Sequence, residues 1–184
     1  MVLSMSSSLT KLKVRKCCFI GLPGSGKTYC SKIWSKGTGV ARIDLDKSIE
    51  LEYGASISQI FDQNGETFFR QKESLMLQNS LKKPSFILDP GGGVVENVKN
   101  RELIKNNCLV IYLYCPLPTL EIRLNNKDER SKRPLLQSAS ISELNDLIVK
   151  RSVLYENMAD ITLHSNYAEE CLPSLIHWWK SSNC

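Results

Sequence analysis

A parallel β-sheet with helices on both faces is the fold class this α/β sequence predicts, and three observations predict it. Short, nearly continuous apolar segments recur along the chain, as strands buried on both faces require. Segments with helical spacing lie between them, as crossover connections do. The first apolar segment runs directly into a glycine-rich turn that opens a helix, Gly21-Leu22-Pro23-Gly24-Ser25-Gly26-Lys27-Thr28.

The elements follow in order. Residues 16–20 are the first strand, and 27–36 a helix stopped by Gly37 and Gly39. Residues 40–45 are a second strand. Helical segments follow at 47–53, 56–62 and 66–81, where apolar residues return at helical intervals. A third strand at 85–88 is closed by Pro90 and the turn Gly91-Gly92-Gly93. A polar helix at 97–106 leads into the most apolar strand, 110–114. Residues 119–124 are helical, 125–140 polar and of mixed charge, and 141–159 a long helix. A last strand at 161–164 precedes a helix at 168–180, started or kinked by Pro173. The five strands belong to one domain, since 184 residues suffice for a single core. Residues 1–15 read as a flexible tail.

Composition narrows the class. With 42% hydrophobic and 23% charged residues, the chain is globular rather than disordered. No apolar run approaches the ~20 residues that span a bilayer. The net charge of +5 comes from scattered positions, without a basic stripe or aromatic platform, so small anions are expected as ligands and nucleic acid is not. Seven cysteines are present and none forms a C-x-x-C pair; reduced, mostly buried thiols are expected. Residues 1–43 lack Asp and Glu, and the first ten are rich in serine, which faintly suggests an organelle leader. The expected compartment is the cytoplasm, with a plastid as the alternative.

The turn at residues 21–28 matches the phosphate-loop pattern G-x-x-x-x-G-K-[ST]. Its glycines let backbone N–H groups close around phosphate oxygens, and the helix N-terminus adds a favourable dipole. Gly21, Gly24, Ser25 and Gly26 would hold the nucleotide, Lys27 would neutralise its outer phosphates and Thr28 would ligate Mg²⁺. Asp44 and Asp46 close the second strand, where alternation points both carboxylates to one side. One suits a metal's water shell and the other a proton acceptor; Asp46 would serve equally as a helix N-cap. Arg70 and Glu73, three apart on a helix, also fit a plain surface ion pair. His164 and His177 are expected to be structural, and Trp178 and Trp179 to pack the last helix.

The ordered motifs GLPGSGKT, IDLDKSIE, GASISQIF, GETFFRQKE, GGGVV, NRELI, RPLL and RSVLYENMADITL resemble shikimate kinase, a family of nucleoside-monophosphate-kinase-like P-loop proteins, over residues 17–165. The resemblance implies a three-layer P-loop kinase fold with a substrate-binding segment at about 47–82 and a mobile lid at about 125–140. It implies transfer of the ATP γ-phosphoryl group to the 3-hydroxyl of shikimate, with Mg²⁺; a monomer is expected. Asp46 would then grip the substrate hydroxyls and act as general base, with Asp44 near Mg²⁺. Arg70 and Arg151 would clamp the substrate carboxylate, with Glu73 orienting Arg70. Gly91, Gly92 and Gly93 would present backbone to the ring, and Arg133 would close from the lid onto the phosphoryl group.

Two positions depart from the family. Asp89-Pro90 stands where small or hydroxylic residues are common; Asp89 would help hold Mg²⁺ through water, or else repel the γ-phosphate. Asn126 replaces a family arginine, with Lys127 and Arg130 as substitutes. The readings left beside an active shikimate kinase are a nucleotide-binding regulator without catalysis and a kinase of another acceptor, such as gluconate.

Overall fold

The computed structural model describes residues 3–5, 15–124 and 141–183. In chain order its elements are β1 (Leu3–Met5), β2 (Lys16–Ile20), α1 (Lys27–Thr38), β3 (Arg42–Asp44), α2 (Leu45–Tyr53), α3 (Ile57–Leu81), β4 (Phe86–Asp89), α4 (Val98–Asn107), β5 (Leu109–Tyr114), α5 (Leu117–Leu124), α6 (Ile141–Met158), β6 (Ile161–His164) and α7 (Ala168–Asn183), with a 3₁₀ turn at Gly92–Glu96. The expected lid at 125–140, with Asn126, Lys127, Arg130 and Arg133, lies outside the described residues.

The sheet order is β1-β6-β5-β2-β4-β3. Its five strands from β2 to β6 are parallel, as expected. The sixth corrects the expectation for the tail: Leu3–Met5 pairs antiparallel with β6. An edge strand presents unpaired N–H and C=O groups to any nearby segment, and alternation in a sequence does not reveal that opportunity.

Alternation along β2 sorts its side chains onto two cores. Cys18 and Ile20 join Leu88, Val110, Tyr112 and Tyr155 on one face. Cys17 and Phe19 join Trp34, Ile111, Leu163 and Trp179 on the other. There Trp34 meets Phe19 and Trp179 edge-on, with ring centroids 5.6 and 6.1 Å apart. Trp34 is fully buried, so Trp34→Ala is expected to cost about 3–5 kcal/mol, read as a lowered midpoint in denaturant unfolding. The six described cysteines are all free thiols. No described helix is long and apolar enough to cross a membrane.

Two boundaries move. Helix α1 continues through Gly37 and ends at Gly39, whose φ is +74°. Gly37 marks close packing instead of a stop, because a Cβ there would sit 2.9 Å from Ile176 of α7. The helical segments expected at 56–62 and 66–81 together make up α3 and are divided, as expected, at Gly65, whose φ of 79° and ψ of 169° are non-helical. The strand expected at 40–45 shortens to Arg42–Asp44 because Asp44 caps α2, accepting from the Lys47 N–H at 3.1 Å. Asp46 is therefore neither a strand residue nor the N-cap; it lies in the first helical turn.

Candidate active site

Three parallel strands deliver the site. β2 runs into the phosphate loop, β3 ends at Asp44 and β4 ends at Asp89, so all three ends lie along one carboxyl edge of the sheet, where open α/β sheets bind ligands. A cleft of about 170 Å³ opens over this edge, lined among others by Lys27, Thr28, Asp46, Arg70, Glu73 and Arg151. Asp44, Asp89 and the three glycines line it too. The structure thus brings together Lys27 and Thr28 of the phosphate loop, the acids of the two strand ends, the triple glycine, Arg70 and Arg151.

In the loop, Lys27 Nζ donates to Gly21 O and Leu22 O at 2.9 and 3.0 Å. Thr28 is exposed at the start of α1. The Ser25 hydroxyl is buried without a hydrogen-bond partner, a polar atom that a bound ligand would satisfy.

The triple glycine is held from three sides. A Cβ on Gly91 would lie 2.7 Å from Asp46 Oδ1, and one on Gly93 would run into the Arg70 guanidinium. Only glycine lets this backbone lie against both groups. Behind it, Tyr155 donates its hydroxyl to Gly92 O at 2.6 Å and stacks on Tyr112. The acid and the guanidinium are spaced by this turn.

Each arginine has its own glutamate. Arg70 Nη1 donates to Glu73 Oε2 at 2.9 Å, and Glu66 pairs with Arg70 from one turn earlier. Glu73 is 1% exposed and its Oε1 has no hydrogen-bond partner, so Arg70–Glu73 is not a solvated surface pair. Burial raises the Glu73 carboxyl, and Arg70 opposes that rise. Arg151, buried on α6, donates from Nε to Glu96 Oε1 at 2.8 Å. Burial alone would raise Glu96, but the charge and hydrogen bond of Arg151 bring it below the usual carboxylate value.

Asp46 is a second perturbed acid of the cleft. Burial, with the charges of Glu73, Asp44 and Asp89, pushes its carboxyl up to about 7, against the opposing pull of Lys27. A carboxylate poised near neutrality suits a general base. Asp44 and Asp89 face each other in register on adjacent strands, an arrangement of like charges that disfavours pairing unless compensated. Arg42 compensates it: Nη2 bonds Asp44 Oδ2 at 2.8 Å and pairs closely with Asp89 Oδ2.

Sequence reasoning missed Arg42, Glu96, Tyr155 and Arg123, which donates to Gly24 O at 3.0 Å. Arg42 alone left a signal, since residues 42 and 44 share one face of a strand.

Fold and cleft together define a P-loop kinase of small molecules. The family profile described as shikimate kinase matches residues 23–178, and the chain belongs to the shikimate kinase family. It is 39% identical over 152 residues to a shikimate kinase of Dehalococcoides mccartyi, covering 83% of this chain and 84% of the other. With that of Dictyoglomus turgidum it shares 41% over 144 residues, covering 78% and 83%. The solved shikimate kinase of Acinetobacter baumannii, in complex with shikimate, superposes with a TM-score of 0.80 at 30% identity, over 89% of this chain and 94% of that one. An enzyme of this family is a kinase that phosphorylates shikimate with ATP.

Proposed function

We propose that this chain transfers the γ-phosphoryl group of ATP to the 3-hydroxyl of shikimate, giving shikimate 3-phosphate and ADP in aromatic amino-acid (chorismate) biosynthesis. The observation that carries this reading is the triple-glycine turn, which sets Asp46 on one side and the Arg70 guanidinium on the other. The A. baumannii relative described with shikimate bound supports it. Arg70 and Arg151 clamp the acceptor's carboxylate through planar, bidentate forks, with Glu73 and Glu96 fixing their aim. Asp46 grips the ring hydroxyls and takes the proton of the attacking one. Gly91, Gly92 and Gly93 offer backbone to the ring.

On the donor side, Gly21, Gly24, Ser25, Gly26 and Lys27 hold the phosphates, and Arg133 meets the transferring group. No set of three or more acidic, His or Cys side chains able to hold a metal is found among the described residues. Thr28, Asp44 and Asp89 are sparse, hard oxygen donors, the kind Mg²⁺ uses when phosphates and water complete its shell. Bound there, with Asp89 acting through water, Mg²⁺ would neutralise charge on the β- and γ-phosphates. We place the enzyme as a monomer in the cytoplasm, or in a plastid if the first fifteen residues derive from a transit peptide.

The test is ADP release by purified, folded protein across a panel of hydroxyl acceptors. Release is expected to depend on shikimate and Mg²⁺, and its absence sinks the reading. A module that binds nucleotide without catalysis would give no heat on titration with shikimate.

The raised Asp46 carboxyl sets a pH profile. Since the base must be ionised, kcat/KM is expected to fall about tenfold per pH unit below about 7. The stability sign runs the other way. An acid whose folded pKa lies above its unfolded value of ~4 favours the fold while protonated, and that contribution is lost as pH rises through about 7. Asp46→Asn should thus gain stability over the parent between pH ~4 and ~7, in parallel thermal melts.

A further inference from the structure

The paired acids at the ends of β3 and β4 pose a problem for any phosphate ligand. Asp44 and Asp89 stand in register beside the phosphate loop and line the same cleft. Asp89 is 5% exposed, and a buried carboxylate without a partner would be costly. Two uncompensated charges there would also repel the phosphates the loop is built to hold.

The strand supplies the answer from within. Arg42 lies two residues before Asp44, so both side chains leave the same face of β3. Its guanidinium bridges Asp44 and Asp89. Its Nε donates to the Ser31 hydroxyl at 2.7 Å, and that hydroxyl donates to Asp89 Oδ2 at 3.3 Å. Ser31 is fully buried on α1, one turn beyond Lys27. The network therefore ties the phosphate-loop helix to both acid-bearing strands. A guanidinium can make these bonds at once because its donors form a fixed planar fork, which a lysine ammonium lacks.

We propose that Arg42 is a positioning residue for the donor nucleotide: it fixes Asp44 and Asp89 and leaves this edge with one net negative charge in place of two, so that the phosphates can settle on the loop. The inference rests on the kinase reading only in that a nucleotide occupies the loop. It assigns Arg42 to Asp89 as the answer to its charge: Arg42 is needed because Asp89 is ionised beside the loop, and is not needed once that charge is gone.

The test is ADP binding by calorimetry, with EDTA present and no acceptor, on the full chain and on R42L, R42K, D89N and the R42L/D89N double variant. R42L is expected to bind ADP about tenfold more weakly, and R42K to bind more weakly than the parent. D89N is expected to bind no more weakly than the parent. The double variant is expected to return to within about twofold of the parent, because the charge that Arg42 answers is gone. Parental affinity in R42L, or a double variant as weak as R42L, overturns the proposal. If R42L fails to fold, the double variant still carries no unpaired Asp89 charge; its ADP affinity is then compared with that of R42K, and a double variant no tighter than R42K overturns the proposal. The kinase reading fails separately: a protein with this rescue pattern but no shikimate-dependent turnover would sink that reading and leave Arg42 in its role.

Discussion

An Asp46→Asn variant is expected to bind ATP within about twofold of the parent while kcat falls by about 10²–10⁴, the usual contribution of a positioned general base. The amide keeps the shape of the carboxylate but cannot take the hydroxyl proton. Asp46 also lies against Gly91, so the same-sized side chain leaves the triple-glycine turn in place and isolates the chemistry. Stopped-flow phosphoryl transfer with ATP titrated by calorimetry separates the two effects. Turnover remaining within about tenfold of the parent would remove Asp46 as the base. The variant should also lose the acid limb of the pH profile, since the group raised to about 7 is gone.

Arg151→Ala is expected to raise KM for shikimate by about 10²–10³ and leave KM for ATP nearly unchanged, since truncating one partner of a buried, hydrogen-bonded charge pair costs binding about 2–5 kcal/mol, with tenfold per ~1.4 kcal/mol. Arg151 is 3% exposed and its described hydrogen-bonding partner is Glu96. In the proposed role its removal would delete half of the carboxylate clamp and also leave a second carboxylate, Glu96, facing an anionic substrate. Arg151→Lys should recover only part of the loss, because an ammonium cannot make the forked contact. A KM for ATP that rises in step with that for shikimate would place Arg151 on the donor side instead. Glu96→Gln offers an independent check: the clamp keeps its charge and an amide acceptor but loses the ionic part of its anchor, so a smaller rise in the shikimate KM is expected.

Much of this site was legible along the chain because its signals are local. The phosphate loop is eight consecutive residues, and its chemistry follows from backbone geometry at the start of one helix. Arg70 and Glu73 sit three apart on α3, a spacing that guarantees contact whatever surrounds them. Their burial was not legible: only the packed cleft distinguishes an exposed ion pair from Glu73 at 1% exposure. Asp44 and Asp46 were read correctly as neighbours at a strand end and wrongly as two strand residues. Capping by Asp44 starts the helix one residue before Asp46, and competition between strand and cap is decided by the packing of α2, not by alternation.

By itself, then, the sequence determined the parallel α/β class, the order of its five parallel strands and the helices between them, the family, and most of the polar residues that line the cleft. The class and the order rest on periodicity, the phosphate loop on a short spacing, and the family, with Arg151 and the triple glycine, on the resemblance of the ordered motifs. The tertiary structure alone decided which charges answer which. Arg42 meets Asp89 across 47 residues of sequence, Arg151 meets Glu96 across 55, and Tyr155 reaches Gly92 across 63. No local rule predicts such pairings, because they depend on β4 lying between β3 and β2 and on α6 packing against the turn after β4. Asp89, ambiguous as a residue in a string, became half of an ion pair once the sheet set Asp44 beside it.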